Sequence, residues 1–102
     1  MADYVVRRNE AAHRFEVALG NKIAKIDYAR SNGRLNLLHT EVPKDDEGQG
    51  IGSSLAKAAL EYAQAEKLEV IPTCPFISSY IKRHREYLEI VAPSYRRKIQ
   101  QG

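Results

Sequence analysis

The chain has 102 residues, 43% of them hydrophobic, and a net charge of +3 from 16 basic and 13 acidic side chains. This length fits a single domain spanning 1–102, and so mild a positive charge does not demand a nucleic-acid partner. One cysteine excludes an internal disulfide, and no segment has the roughly 20 apolar residues of a membrane span or the pattern of a signal peptide. We therefore expect a cytoplasmic protein without a membrane partner.

The first 42 residues have the pattern of four β-strands. The segments DYVVRRN, RFEVALG, KIAKIDYAR and RLNLLHTEV contain β-branched or alternating apolar residues. In the second segment, for example, Phe15, Val17 and Leu19 share one face. The turn signals GN at 20–21 and SNG at 31–33 separate the last three segments. These features predict an antiparallel meander of four strands.

After Pro43 the pattern changes to a polar loop followed by helical spacing. Apolar residues recur every three or four positions from Ile51 to Tyr62, which predicts a helix that ends near Lys67. LEVIP then has the pattern of a short buried strand, and PFISSYIKRH that of a second helix beginning with proline. The tail, from about 92 to 102, has no clear pattern and could be irregular.

The predicted order is therefore ββββ-α-β-α, an α/β (α+β) fold with a mixed sheet. A strand–helix–strand crossover within one sheet is right-handed and joins parallel strands. The fourth and fifth strands should thus be parallel neighbours. The loop before the first helix would lie at the carboxyl end of the fourth strand, where α/β crossovers place their ligands.

That loop, EGQGIGSS, has glycine at positions 48, 50 and 52. The N-terminus of a helix has unpaired N–H groups and a partial positive charge, which suit a phosphate. Glycines leave those N–H groups accessible, so we expect a phosphate cradle; the alternative is a flexible turn that merely contains glycine. Neither a P-loop nor a dinucleotide fingerprint is present, because no Gly-Lys-Ser/Thr follows and the spacing is G-x-G-x-G.

With its flanking strand and helix, EVPKDDEGQGIGSSL resembles the acetyl-CoA-binding motif of the GNAT-type N-acetyltransferases. The family pattern Arg/Gln-x-x-Gly-x-Gly/Ala falls on Glu47, Gly50 and Gly52. HTEVP, GQGIG, IPTCPF and YIKRHREY follow in the order and spacing of a short branch of this family, over roughly residues 14 to 91. The resemblance implies a GNAT-like sheet with splayed fourth and fifth strands, and transfer of an acetyl group from acetyl-CoA to an amine by direct attack.

The resemblance also implies how acetyl-CoA or CoA would be bound. The pantetheine arm would lie like an added strand between strands four and five and pair with backbone near Val42. Pro75 would contact the cofactor at the start of the second helix. Arg83, in the same helix, could reach a phosphate of the cofactor or belong to an ordinary amphipathic helix. The loop residues whose N–H groups would bind the pyrophosphate are Gly48, Gln49, Gly50, Ile51, Gly52 and Ser53.

Three residues are candidates for chemistry at the thioester. Cys74 lies at the predicted start of the second helix, where a helix N-terminus favours a thiolate nucleophile, or it is a small buried hydrophobe. Glu41 ends the fourth strand as a possible base for the amine or as a plain strand-end charge, and His39 shares its face. Tyr80 could protonate the leaving CoA thiolate, pack against the cofactor or belong to an ordinary amphipathic helix. The scattered histidines and lone cysteine predict no metal site.

Two departures from the family pattern bear on function. Glu47 places a negative charge beside an anionic ligand, and the short connection EAAH stands where longer members insert two helices that form much of the acceptor site. The amine, whether a small molecule or a protein, is therefore not predicted, and a second copy or a partner protein could complete the site. One alternative is a module that binds CoA or acyl-CoA without efficient transfer. A small nucleic-acid-binding protein ranks last, because no aromatic-basic strand motif is present.

Overall fold

The computed structural model describes residues 4–101, which form one five-stranded mixed sheet flanked by helices. The strands are β1 (Arg7–Asn9), β2 (Arg14–Leu19), β3 (Lys22–Ser31), β4 (Arg34–Glu41) and β5 (Glu69–Ile71). The helices are α1 (Ile51–Ala65), α2 (Pro75–Arg83) and α3 (Pro93–Gln101), with 3-10 turns at Lys44–Asp46 and Arg85–Ile90. None of the helices within this range is long and apolar enough to cross a bilayer.

The strands lie in chain order across the sheet, antiparallel from β1 to β4 and parallel between β4 and β5. The predicted fold class is confirmed: a four-strand meander precedes a helix, a parallel strand and a second helix. At the β3–β4 hairpin, Asn32 and Gly33 both have positive φ, of 52° and 77°. An Asn-Gly turn of this kind matches the twist of the strands that it joins.

The core lies between the sheet and α1. Alternate residues of β2, β3 and β4 point toward this helix, among them Val17, Ile26 and Leu37. The sequence pattern placed Ala58 and Tyr62 on the buried face of α1, but both are only partly buried. The buried positions of the helix are Ile51, Leu55, Ala56, Ala59, Leu60 and Ala63. Three alanines in this stripe allow the helix to approach the sheet closely. The spacing of hydrophobic residues alone does not predict this close approach.

The opposite face of the sheet has charged side chains arranged in pairs. Glu16 accepts hydrogen bonds from Arg7 (2.9 Å) and Arg14 (2.7 Å). The bond from Arg14, with further bonds from Asn9 and Arg7, holds the pKa of Glu16 below its usual value despite its burial. Most of this face is consequently polar and carries ion pairs instead of a second hydrophobic layer.

The parallel strands β4 and β5 stay together over a short distance only. Arg34–Asn36 pairs with Glu69–Ile71, and beyond this pairing the Cys74 N–H donates a 2.9 Å hydrogen bond to the Leu37 carbonyl oxygen. Beyond Leu37, β4 continues to Glu41 while the chain after β5 turns into α2. The two strands therefore splay apart toward the carboxyl end of β4, as the family resemblance implied.

A β-bulge in β4 changes which residues face inward. Asp27 pairs with His39 while Tyr28 pairs with Leu37, so Leu38 is an extra residue on β4. The inward series that contains Leu37 is thereby shifted by one position. Beyond the bulge, Thr40 is half-buried, whereas His39 and Glu41 are exposed.

The chain end, where the sequence has no clear pattern from about 92, forms helix α3. Pro93 occupies its start, where a proline is tolerated because the first N–H groups of a helix have no intrahelical partner. Just before it, the Ala92 N–H donates to the Val70 carbonyl oxygen (2.9 Å). Ile99 is buried and Tyr95 packs against the same core. The burial of Ile99 and the packing of Tyr95, four positions earlier, explain why so polar a segment is helical.

Candidate functional site

A cleft of about 450 Å³ opens where β4 and β5 diverge, between the end of β4, the glycine loop and the first turn of α2. Six residues that the sequence assigned to cofactor binding line it: Val42, Gly48, Gly50, Ile51, Gly52 and Ser53. Four others complete the lining: Thr40, Asp46, Glu47 and Phe76. The splayed strands and the helix N-terminus thus meet at one cavity, as predicted.

Gly48 and Gly50 have a backbone conformation that other residues rarely adopt. Both have φ of +82°, and Gly50 is the N-cap of α1. The Ser54 N–H donates to the Gly50 carbonyl oxygen (3.1 Å), which is the first hydrogen bond of the helix. The N–H groups of residues 51–53 consequently have no intrahelical acceptor, and no side chain caps them. They are available to an anion in the cleft.

Gly52 is required for a different reason. A Cβ atom at this position would lie 2.8 Å from Cζ of the Phe76 ring. The absence of a side chain lets the first turn of α1 pack directly against the aromatic ring at the start of α2. Phe76 therefore forms one wall of the cleft and closes the gap between the two helices at the same time.

The charged side chains of the cleft are acidic. Asp46 and Glu47 line it, and no lysine or arginine in the part of the chain that the structure describes does so. Asp46 is 3.5 Å from the Lys22 ammonium group, which partly neutralises it. A phosphate bound here would be held by backbone N–H groups and would face the Glu47 carboxylate. The geometry fits a pyrophosphate, whereas the charge of Glu47 opposes it.

Cys74 lies behind Thr40 and is not among the residues that line the cleft. It is the N-cap of α2, directly before Pro75, and only 5% of its surface is exposed. Its Sγ atom is 3.3 Å from Oγ1 of Thr40, so the two side chains connect β4 to α2 across the splay. Thr40 lines the cleft and Cys74 contacts it from behind. The sequence pattern did not identify Thr40, because only the bulge at Leu38 turns it inward.

Glu41 lies on the outer face of the sheet. Its Oε2 atom is 3.8 Å from Nε2 of His39, and 63% of each side chain is exposed. The expectation that these two residues share a face is correct, and the bulge makes it the face away from α1. A base at Glu41 would therefore serve only an amine that approaches from the open side of the sheet.

Tyr80 is buried beside the other rings of this region. Its ring stacks on His84 with the centroids 4.0 Å apart, and Tyr87 lies next to it. Burial raises the pKa of Tyr80, and the nearby carboxylates of Glu86 and Glu61 raise it further. Tyr80 is absent from the cleft lining. The aromatic side chain that α2 contributes to the cleft is Phe76, one turn earlier.

The other predicted contacts lie outside the lining of the cleft. Pro75 borders a separate groove between α2 and α3. Arg83 is exposed in the last turn of α2. The side chain of Gln49 accepts a hydrogen bond from the Tyr4 hydroxyl (3.4 Å) on the outside of the glycine loop. Among the described residues, no three His, Cys, Asp or Glu side chains are grouped so that they could hold a metal ion.

Comparisons with known proteins match this architecture. A family model described as GCN5-related N-acetyl-transferase matches residues 14–90. Protein NATD1 of Gallus gallus and of Mus musculus is 43% identical over 61 residues, which are 58% of this chain and 56% of those proteins. Protein NATD1 of Homo sapiens has the same identity over 54% of its length. The matched segment thus spans about half the length of these relatives.

A solved structure has the same fold along most of its length. It is the NMR solution structure of a protein from Staphylococcus aureus described as GCN5-like. It superposes with a TM-score of 0.68 at 27% identity, over 90% of this chain and 91% of that one. The likeness therefore extends over most of the fold of both chains.

Proposed function

We propose that this chain, which belongs to the GCN5-related N-acetyltransferase family, binds acetyl-CoA in the glycine-loop cleft and transfers the acetyl group to an amine. The observation that carries the proposal is the uncapped N-terminus of α1, with Gly48 and Gly50 at φ +82°, at the point where β4 and β5 splay. Backbone N–H groups suited to an anion and an open strand edge meet there in one cleft.

Each part of the cleft has a role in this proposal. The N–H groups of residues 51–53 bind the pyrophosphate. The backbone near Val42 pairs with the pantetheine arm, since β5 ends at Ile71 and does not follow β4 to this point. Phe76 forms the wall beside the arm. When bound, acetyl-CoA supplies the thioester, which is the activated acyl group for transfer.

We assign the reacting groups by their position relative to this cleft. Thr40 lines the cleft and Cys74 contacts Thr40 from behind, so Cys74 either supports the wall or accepts the acetyl group itself. Glu41 acts as the base for an amine that arrives across the open face of the sheet, because its carboxylate is exposed there. Tyr80 is buried against His84, and its role is to pack the C-terminal end of α2.

A second candidate function is CoA binding without efficient transfer, and the acceptor side favours it. The connection between β1 and β2 is a tight turn in which the His13 N–H donates to the Glu10 carbonyl oxygen (3.1 Å). A turn this short provides no far wall for an amine, and positioning of the acceptor supplies much of the rate in such reactions. We expect turnover well below the roughly 10 per second of a median enzyme, unless a partner protein or a second copy completes the site.

Two measurements test these candidates. Calorimetric titration with CoA, acetyl-CoA and a single-stranded RNA separates cofactor binding from nucleic-acid binding. Acetyl transfer to a library of small amines, with intact-mass detection of acetylated protein, distinguishes an enzyme from a protein that binds CoA without transferring the acetyl group. We expect micromolar CoA binding, no RNA binding and slow, unselective transfer. Absence of CoA binding by the folded protein would overturn the proposal. Fast turnover of one amine by a demonstrated monomer, with close analogues rejected, would overturn the open acceptor side.

A further inference from the structure

We propose that a second pocket, at the other end of the sheet, binds a phosphate dianion, either free or as a small phosphomonoester. This pocket, of about 480 Å³, lies beside the β3–β4 hairpin and the last turns of α1. The side chains that line it include Arg8, Glu10, His13, Tyr28, Arg30 and Tyr62. We call it the arginine pocket. It is independent of the acetyl-CoA proposal.

The arginine pocket is remote from the glycine-loop cleft. The cleft begins at Thr40, near the end of β4, whereas the arginine pocket borders Gly33, just before β4 begins. An eight-residue strand is about 26 Å long. A ligand in one pocket therefore cannot touch the residues of the other unless it is much longer than a nucleotide.

Two guanidinium groups converge on the Tyr62 ring. Arg8 lies over the ring, with Cζ 4.7 Å from its centre, and Cζ of Arg30 is 5.8 Å from the same centre. Arg8 donates a hydrogen bond to the Tyr28 hydroxyl (3.3 Å), and Arg30 donates one to the Tyr62 hydroxyl. Each guanidinium has five N–H donors, so these bonds fix the orientation of both groups and leave most of their donors for a ligand.

Each of these two arginines has one phenol partner and one carboxylate partner, and both carboxylates are exposed to solvent. Arg7 and Arg14 both bind the buried carboxylate of Glu16 at 2.9 and 2.7 Å. Arg8, in contrast, has its closest side-chain partner in a phenol; the Glu10 carboxylate is 3.9 Å away and 79% exposed. Its positive charge is therefore weakly compensated.

Arg30 is partly compensated, because one N–H of its guanidinium group reaches the Glu66 carboxylate at 3.2 Å. Its other donors remain, and Glu66 does not line the pocket. Paired guanidinium forks match the oxygens of a phosphate better than a point charge does. The volume of the pocket exceeds that of phosphate alone, which leaves room for a small ester group beside His13 and Tyr28.

The test is a site-resolved NMR titration of the full chain with inorganic phosphate and, separately, with phenyl phosphate. We expect saturable shifts of the Arg8 and Arg30 side-chain Nε–Hε signals and of the Asn32 and Gly33 amides. Equal affinity for both probes would identify the phosphate group as the ligand, and tighter phenyl phosphate binding would identify an ester. Shifts confined to the glycine loop, or shifts that never saturate, would overturn the proposal. Because the two pockets report through different signals, this outcome does not depend on CoA binding.

Variants make the test specific. Arg8→Gln should weaken phosphate binding at least tenfold, and Glu10→Gln should strengthen it. Arg30→Lys keeps the positive charge but loses the paired N–H donors of the guanidinium group. We expect its phosphate affinity to fall at least threefold. The matched control is Arg97→Gln, which removes an exposed arginine from α3 and should change the affinity less than twofold. An equal loss in the Arg97 and Arg8 variants would reduce the effect to general charge and overturn the proposal.

Discussion

The two ends of the sheet offer hydrogen-bond donors to an anion in opposite ways. In the glycine-loop cleft, the donors are backbone N–H groups and the charged side chains are acidic. In the arginine pocket, the donors are guanidinium groups held by phenols. Donors of the first kind depend on a local backbone conformation, so a short glycine motif reveals them. Donors of the second kind depend on residues that are distant in sequence, here Arg8, Arg30 and Tyr62. No local sequence pattern therefore indicates them.

The largest effect that we predict compares Gly33, just before β4, with Gly50, the N-cap of α1. Gly50 and Gly33 have φ of +82° and +77°, and an added Cβ would meet nothing within 4 Å at either position. Alanine should therefore cost both variants a similar amount of stability, about 1–2 kcal/mol for a left-handed residue. Only Gly50 lines the cleft. Gly50→Ala should weaken CoA binding more than tenfold, equivalent to about 1.4 kcal/mol.

Gly33→Ala is the control for this comparison, and calorimetric titration with CoA is the measurement. Its CoA affinity should change less than twofold, while urea denaturation should show a loss of stability close to that of Gly50→Ala. An equal loss of affinity in both variants would mean that strain, and not access to the N–H groups, limits binding. Unchanged affinity in a folded Gly50→Ala variant would remove the phosphate cradle.

The second effect concerns Gly52. Its lack of a side chain makes room for the Phe76 ring and not for an anion. In Gly52→Ala the new Cβ would lie 2.8 Å from the Phe76 ring, so the ring must move within the cleft that it lines. We expect roughly tenfold weaker CoA binding, about 1.4 kcal/mol, with little loss of stability because alanine favours the helix. In a Phe76→Leu background the same substitution should change the affinity less than twofold, since the colliding ring atoms are gone. An equal effect in both backgrounds would contradict the packing explanation.

Gly50 and Gly52 show how much of the site could be predicted from the sequence. The strand order, the first helix and the position of the cleft follow from alternation, turn residues and glycine spacing, which are local signals. The role of Gly52 does not, because it depends on Phe76, which lies 24 positions later in the chain. Helix α3 was missed for a similar reason: its polar sequence is helical because Tyr95 and Ile99 pack against the core.

The bulge at Leu38 is the clearest limit of pattern reasoning. Strict alternation along β4 would keep His39 and Glu41 on the face of Leu35 and Leu37. One extra residue exchanges the faces, so that Thr40 enters the cleft and Glu41 points outward. No residue type at the bulge indicates the exchange. Predicted roles at the end of a strand therefore depend on a register that only the structure supplies.

A third, smaller effect tests the contrast between arginines that bind a buried carboxylate and arginines whose carboxylate partners are exposed. The hydrogen bond from Arg14 lowers the pKa of Glu16, so the carboxylate stabilises the fold above its unfolded pKa of about 4.3. That contribution is lost as the pH falls through the lower, folded value. Glu16→Gln should cost about 1 kcal/mol at pH 7 and less at pH 3. Urea denaturation at both pH values measures this.

Glu89→Gln, at an exposed position, is the control for Glu16 and should be neutral at both pH values. A cost of Glu16→Gln that stayed constant between pH 7 and pH 3 would show that packing, and not charge, makes Glu16 important. It would also remove the contrast with Arg8, whose closest side-chain partner is a phenol. The arginines that bind Glu16 and those of the arginine pocket would then differ only in their position in the structure.

The smallest predicted effect concerns Glu47, the residue that departs from the Arg or Gln of the family pattern. It lines the cleft, is exposed, and follows the 3-10 turn with φ −65° and ψ 150°. Its carboxylate repels a bound pyrophosphate, but water screens an exposed charge, so the penalty is small. Glu47→Gln should strengthen CoA binding about threefold, or roughly 0.6 kcal/mol, in 20 mM salt and less in 500 mM salt. Glu66→Gln, which removes a carboxylate near the arginine pocket, should leave CoA affinity unchanged. If Glu47→Gln weakened CoA binding instead, its side chain would be a ligand for the cofactor, and the cleft would recognise CoA by more than its backbone.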